Sequence, residues 1–219
     1  MSIDKGFGAD HMALTATAPM MESGRERTTL VVQKWDDDQT NWLARKFDLM
    51  PGLTFKPKHF ASFGVNPYEE FVYQGNLITR AGWNQLFVGG FIGTTGTKFS
   101  NTVGRIGIGT STTAATAADT ALGSVTGMSG SGSNWILCAA NPTTNTGVTP
   151  CTVIFTATFG PNDAVGAWQE FAIDQGTANS TAGTATVTAV APMMNHSANI
   201  GAGTKAGGTW SATATLSFT

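Results

Sequence analysis

Charge is what this chain has least of: Asp, Glu, Lys and Arg make up 12% of its 219 residues, about half the usual share of a soluble globular protein. It is also unevenly placed, with 19 of the 26 charged residues in residues 1–80 and 7 in residues 81–219. Clustered Lys and Arg are missing and the net charge is −2, so there is no electrostatic footprint for nucleic acid. No apolar run approaches the roughly 18 to 20 residues of a membrane span. The opening MSIDKGFGADHM lacks the basic-then-apolar order of a secretory signal, so the mature chain is expected to begin at its own Met1. Cysteine is nearly absent. Cys138 and Cys151 flank a turn-rich segment holding Asn141-Pro142 and Asn145, and a hairpin there would bring them within disulfide range. Without a signal peptide, buried thiols are the expectation.

The motifs of common chemistries are missing as well. His11, His59 and His196 stand far apart, with no Cys or His at ligand spacing, which argues against a metal site. The triplet Asp36-Asp37-Asp38 lacks the alternation, central Gly and distal Glu of a calcium loop, and reads as a solvated turn. Gly104, Gly107 and Gly109 lie close together in and just before RIGIG. They have neither the Lys-Ser/Thr pair of a phosphate loop nor the third Gly and acidic residue of a dinucleotide fingerprint. They read instead as sites where a strand passes close to other backbone. There is no GxSxG elbow, and no His in a strand-end setting with an acidic partner. Glu170 and Asp174 would share a strand face about 13 Å apart, too far for a glycosidase pair, and read as a solvent-edge pair. No catalytic, cofactor-binding or metal residue is assigned.

What is present is alternation. In KAGGTWSATATLSF, Trp210, Ala212, Ala214, Leu216 and Phe218 point one way in an extended chain and Thr209, Ser211, Thr213, Thr215 and Ser217 the other. That is a half-buried strand whose second face carries hydroxyls instead of Lys and Glu, as suits a surface that meets other protein. Thr28 to Trp35 reads as another strand. Further strands are expected at Arg105–Ile108, Trp135–Ala140, Thr152–Phe159, Trp168–Ile173 and Thr184–Val190. Gly160-Pro161-Asn162-Asp163 is a strong turn signal expected to lead to a neighbouring antiparallel strand at Trp168. One helix is expected, within Gly75 to Phe87, capped by Asn76 or Thr79 and stopped by Gly89-Gly90. Asn41 to Met50 fits neither period. Residues 53–74 are rich in aromatics, expected to pack in a core or a subunit interface.

These signals predict an all-β protein, an antiparallel β-sandwich or jelly-roll-like domain over residues 75–219, its core supplied by Trp83, Trp135, Trp168 and Trp210. Residues 1–74 are assigned to an N-terminal arm and a mixed-charge assembly segment, with residues 1–28 irregular because Gly6, Gly8, Pro19 and Gly24 interrupt any period.

Four segments in order, GNLITRAGWNQLF (75–87), RIGIGTSTTAATAADTAL (105–122), VIFTATFGPNDAVGAWQEFAI (153–173) and KAGGTWSATATLSF (205–218), resemble a pattern in tailed-bacteriophage virion proteins. That pattern is an Asn-Leu-x-Thr-x-x-Gly helix, an Ile-Gly-x-Gly-Thr strand with an Asp-Thr-x-Leu turn, a Phe-rich strand joined to a Trp-x-Glu strand, and a closing Lys-x-x-Gly strand. Residues 1–74 match nothing in it. The resemblance implies a β-rich, non-enzymatic structural component without cofactors, a homo-oligomer decorating the capsid surface, with a tail or fibre position as the alternative. It implies partners among copies of itself and major capsid or tail proteins, no nucleic acid or membrane partner, and a place in the virion after synthesis in the host cytoplasm. The rival class is an adhesive glycan-binding β-module, whose Trp and Tyr would be exposed to stack on sugar.

Overall fold

The computed structural model describes residues 27–75, 77–87, 98–145, 151–180 and 193–218. Its strands are β1 (Arg27–Trp35), β2 (Glu69–Gly75), β3 (Arg105–Gly109), β4 (Trp135–Leu137), β5 (Thr143–Asn145), β6 (Cys151–Phe159), β7 (Gly166–Ala167), β8 (Glu170–Asp174), β9 (Met193–Ala198), β10 (Thr204–Lys205) and β11 (Thr209–Phe218). The helices among the described residues are α1 (Asp37–Lys46), α2 (Pro57–Ala61) and α3 (Arg80–Phe87).

Alternation in β11 does what period two requires. Trp210, Ala212, Ala214 and Leu216 are buried and Thr213 and Thr215 half-buried on the opposite face, but Thr209 and Ser211 of that second face are buried as well, and Phe218, expected on the buried face, is half-buried. β11 lies between β1 and β6 in an antiparallel sheet ordered β2-β1-β11-β6-β5. Leu30 and Val32 of β1 and Phe155, Ala157 and Phe159 of β6 extend its apolar face. A second antiparallel sheet, ordered β4-β3-β8-β9, packs against it through Ile106, Ile108, Phe171 and Ile173. Trp168 fills the space between sheets, with its ring centroid 4.9 Å from Phe159 and 4.8 Å from Trp210 and its Nε1 donating to the Ala164 carbonyl. Burying large rings with their polar handle satisfied is where most of the apolar driving force resides. The molecule is an antiparallel, sandwich-like all-β fold with few helices.

Several expectations need correction. The segment assigned to an arm contributes β1 and β2 to the five-stranded sheet, and the expected boundary at residue 74 cuts the end of β2. β1 has a strand on either side, so it is core and cannot be an appendage; residues 1–26 lie outside the described residues, as do Asn76, Gly89-Gly90 and Thr184–Val190. The turn at Gly160–Asp163 does not close a hairpin, because it carries the chain from the five-stranded sheet to the four-stranded one. Asp163 fixes it by accepting from the backbone N–H of Gly160 and, from outside the turn, of Ser133. Trp83 is 42% exposed instead of buried, whereas Trp135, Trp168 and Trp210 are core.

Two further helices appear besides the expected one. The aspartate triplet is a helix start: Asp36 accepts from the Gln39 N–H at 2.7 Å, and the Gln39 side chain accepts from the Asp36 N–H at 3.2 Å. This reciprocal pair is a capping box, and Asp37 and Asp38 in the first turn suit the helix dipole. Helix α3 starts where Thr79 predicts, its hydroxyl accepting from the Gly82 N–H at 3.0 Å.

Candidate functional site

Seven charged residues lie beyond residue 80, and six of them (Arg105, Asp119, Asp163, Glu170, Asp174 and Lys205) make side-chain hydrogen bonds inside the fold. Four of the six, Arg105, Asp119, Glu170 and Asp174, gather with His196 over the outer face of the four-stranded sheet. In β8 the inward positions Phe171 and Ile173 are apolar, so Glu170, Ala172 and Asp174 point outward. The segment 110–125 crosses over Glu170 and Ala172, while Arg105 and the Gly176 N–H close over Asp174.

His196 of β9 is held between two carboxylates. Its Nδ1 lies 2.6 Å from Asp119 and its Nε2 2.5 Å from Glu170. A neutral imidazole has one N–H and could donate to only one of them; two ionised acceptors call for the imidazolium, which donates from both nitrogens. Burial works against the charged ring, but the hydrogen bonds and charges of Glu170 and Asp119 outweigh it and hold the pKa above 6.5. Burial also works against an ionised Asp119, yet the Thr116 and His196 hydrogen bonds win and hold its carboxyl below the ordinary value.

Glu170 has no solvent exposure. Besides His196 it accepts from the backbone N–H groups of Gly123 at 2.5 Å, Ser124 at 3.3 Å and Ser111 at 3.4 Å. Both oxygens are therefore spent on the crossing segment. Asp174 is buried too and takes a two-pronged bond from Arg105, at 2.9 Å from Nε and 2.5 Å from Nη2. Burial raises the Asp174 carboxyl pKa and Arg105 opposes the rise. The Arg105 guanidinium also sits 5.1 Å from the Trp135 ring, and that ring lies where a side chain on Gly107 would be. At Gly109 a Cβ would stand 2.7 Å from the Ser124 carbonyl oxygen, the close backbone approach the sequence suggested.

The solvent-edge reading of Glu170 and Asp174 is thus overturned, since each is sealed with its own cationic partner. The reading that no His has an acidic partner is overturned as well, at His196. His59 accepts from the Lys56 N–H as part of the α2 start, and His11 lies outside the described residues. Cys138 and Cys151 are both free thiols. Cys138 is buried and its pKa pushed up to about 12 by that burial. Among the described residues no three His, Cys, Asp or Glu side chains are arranged to hold a metal ion. Chemically the cluster is a clasp, with every donor and acceptor engaged internally, and it pins 110–125 onto β8 and β9.

The pattern segments converge on this clasp. The Leu77 carbonyl accepts from the His196 N–H, Thr79 bonds the Met193 carbonyl, and Gly82 lies against the Met194 backbone, so the Asn-Leu-x-Thr-x-x-Gly run fastens α3 along β9. Asp-Thr-x-Leu supplies Asp119 and the buried Leu122, and Trp-x-Glu supplies Trp168 and Glu170. The closing Lys205 is buried elsewhere, donating to the Gly160 carbonyl at 2.7 Å, with burial pushing its pKa down to about 8 against the pull of Asp163 and Asp37.

Among the described residues two surfaces stand open. The outer face of the five-stranded sheet carries the uncharged cross-strand rows Gln74–Thr29–Thr215–Ile154–Thr143 and Val72–Val31–Thr213–Thr156, flanked by rows that hold Arg27 and Glu70. The second is the appendage of α1, α2 and their loops. Inside it Trp35 stacks on Phe60 at 4.5 Å over Leu43, Ala44 and Phe55. Outside it Trp42, Phe47, Leu49, Met50, Leu53 and Phe63 are exposed. No family model, curated protein or solved structure matches this chain.

Proposed function

We propose that the protein is a non-enzymatic structural component of a bacteriophage particle, a homo-oligomer that decorates the capsid exterior. The observation that carries this reading is the convergence of three of the four pattern segments on the clasp. Asp119, Glu170 and Lys205 of these segments are engaged in holding the fold together, and what remains open is a Thr-rich sheet face with charge at its two ends, Arg27 and Glu70, and an apolar appendage. Such faces lose little on desolvation when they meet protein, and repeated copies of one chain assemble through repeated patches. Its partners on this reading are copies of itself and the major capsid protein, with a tail or fibre protein as the alternative. Quantitative mass spectrometry of purified particles tests it. Hundreds of copies per particle are expected of decoration and a few to several dozen of a tail or fibre position; absence from particles would contradict both.

One observation favours a second reading, an adhesive glycan-binding module: Trp42, Tyr68 and Trp83 are exposed and could stack on sugar. Tight binding by the free monomer on a glycan array would support that reading over the first.

A further inference from the structure

The β2 edge of the five-stranded sheet is long and bare. β1 pairs with one side of β2 in seven consecutive registered pairs, from Thr28–Gly75 to Lys34–Glu69, with no bulge, and no strand among the described residues lies on its other side. Alternate residues of an edge strand turn their N–H and C=O groups away from the sheet. The other edge strands are short or covered: β4 and β5 have three residues each, β7 and β10 two, and β9 is met by Ile78 and by Gly82 of α3. Edges are ordinarily blunted by Lys, Pro or a bulge. Residues 71–75 have none of these, and Glu69 and Glu70, at the start of β2, are bonded by Lys34 and Gln33 of β1.

The core is also unfinished at this edge. Phe71 and Tyr73 stand opposite Val32 and Leu30 on the inner face, yet they are only half-buried where Val32 and Leu30 are fully buried. Tyr73 meets Phe171 of the opposite sheet edge to face at 6.4 Å, and Val72 on the outer face is 52% exposed. One more strand beyond β2 makes good both deficits, since it takes up the outward backbone groups and covers the two rings.

The chain holds a segment of the right pattern outside the described residues. Met12, Leu14, Ala16 and Ala18 alternate with Ala13, Thr15 and Thr17, and residues 14–18 read LTATA where residues 212–216 of β11 read ATATL. That is the period of a strand with one apolar and one small, hydroxyl-bearing face, the two kinds of face this sheet presents. Pro19 ends it. We propose that residues 12–18 of a second copy add to the β2 edge as a sixth, antiparallel strand. The connection decides between a second copy and the same chain. A strand antiparallel to β2 runs parallel to β1, and a link between parallel strands takes a dozen or more residues; eight, residues 19–26, separate Ala18 from β1. Each copy both lends a strand and receives one, so the contact closes a reciprocal pair or a ring. The inference deepens the homo-oligomer reading above and rests on it.

Disulfide trapping and sedimentation velocity on the full chain test it. Cys138 is buried, and Cys151, half-buried, is replaced by Ser throughout. Copies carrying Val72→Cys are mixed with copies carrying Ala13→Cys, Thr15→Cys or Thr17→Cys, the arm positions that share the outer face with Val72 in the added strand. At least one mixture is expected to give a mixed dimer under mild oxidation, because directly opposed strand residues lie within disulfide reach. Wild type is expected to sediment as oligomers, and Thr15→Pro/Ala16→Pro to associate about tenfold more weakly or less, since one of two adjacent prolines must fall on a ladder N–H. An unchanged denaturation midpoint confirms that the proline variant is folded. A wild type that stays monomeric overturns the proposal, as does assembly that survives the two prolines without any of the three cross-links. The second result leaves homo-oligomerisation intact through another surface, and copy number in purified particles is read separately. A disulfide that forms only within single chains carrying both cysteines, with no mixed dimer, assigns the strand to its own chain and overturns the exchange too.

Discussion

Over the four-stranded sheet, Arg105, Glu170, Asp174 and His196 are buried, while on the α1–α2 appendage Met50, Leu49 and Phe47 stand in solvent. In the first region charge sits where apolar residues belong, and in the second apolar residues sit where charge belongs. The first is tolerable because every buried charge there meets an opposite charge or a backbone N–H. Among the described residues nothing covers the second, so on the proposed reading it is the region that meets a partner. The two regions should therefore respond oppositely to substitution, with stability lost in the first and association lost in the second.

The largest effect is expected at the clasp. Glu170→Ala leaves His196 and three backbone N–H groups without their acceptor, and should cost about 3–5 kcal/mol in urea denaturation. Trp210→Ala removes a core ring that meets Trp168 and should cost roughly 3–5 kcal/mol, whereas Thr213→Ala on the open face should cost far less. Equal losses at Trp210 and Thr213 would mean that the faces of β11 are wrongly assigned.

The pH dependence sharpens the comparison further. The folded pKa of His196 is raised, so its contribution is full below 6.5 and is lost as pH rises through the folded value. Asp119 is lowered, so its contribution is present above 3.8 and is lost as pH falls through its folded value. Stability measured between about pH 5 and 9 should decline on the alkaline side, and His196→Gln should flatten that decline. A wild-type profile as flat as the variant's would mean that His196 is not held as the cation.

Smaller effects belong to the appendage. Asp36→Ala removes the α1 cap and should cost about 1 kcal/mol, read as loss of helical signal and a lower denaturation midpoint. Met50→Ser should change stability by no more than about 0.5 kcal/mol, and yet weaken self-association in sedimentation. A large stability loss at Met50 would make it part of a core and erase the contrast.

How much of this was legible follows from where each signal lies. β11 and β6 could be read because period two is local and both strands bury one face. Thr79 could be read as a cap because capping is local too. Helix α1 escaped because Trp42 and Phe47 face solvent and leave no apolar stripe, although Asp36-x-x-Gln39 held a capping signal. The Gly160–Asp163 turn was seen, but whether a turn stays within one sheet depends on the packing of Trp168, which is not local. The clasp escaped because Asp119, Glu170 and His196 come from three segments, His196 lying 77 and 26 positions from its two partners. One clue was available: in a stretch of 139 residues with seven charges, a carboxylate inside a small-residue strand is a candidate for burial.

The most direct test of the central claim is a cryo-electron microscopy reconstruction of the intact particle. The account predicts many symmetry-related copies of the chain on the particle, with the apolar α1–α2 platform of each covered by a neighbouring protein and the Glu170–His196 clasp enclosed within each copy. A particle without the chain, or one in which every platform faces open solvent, would contradict it.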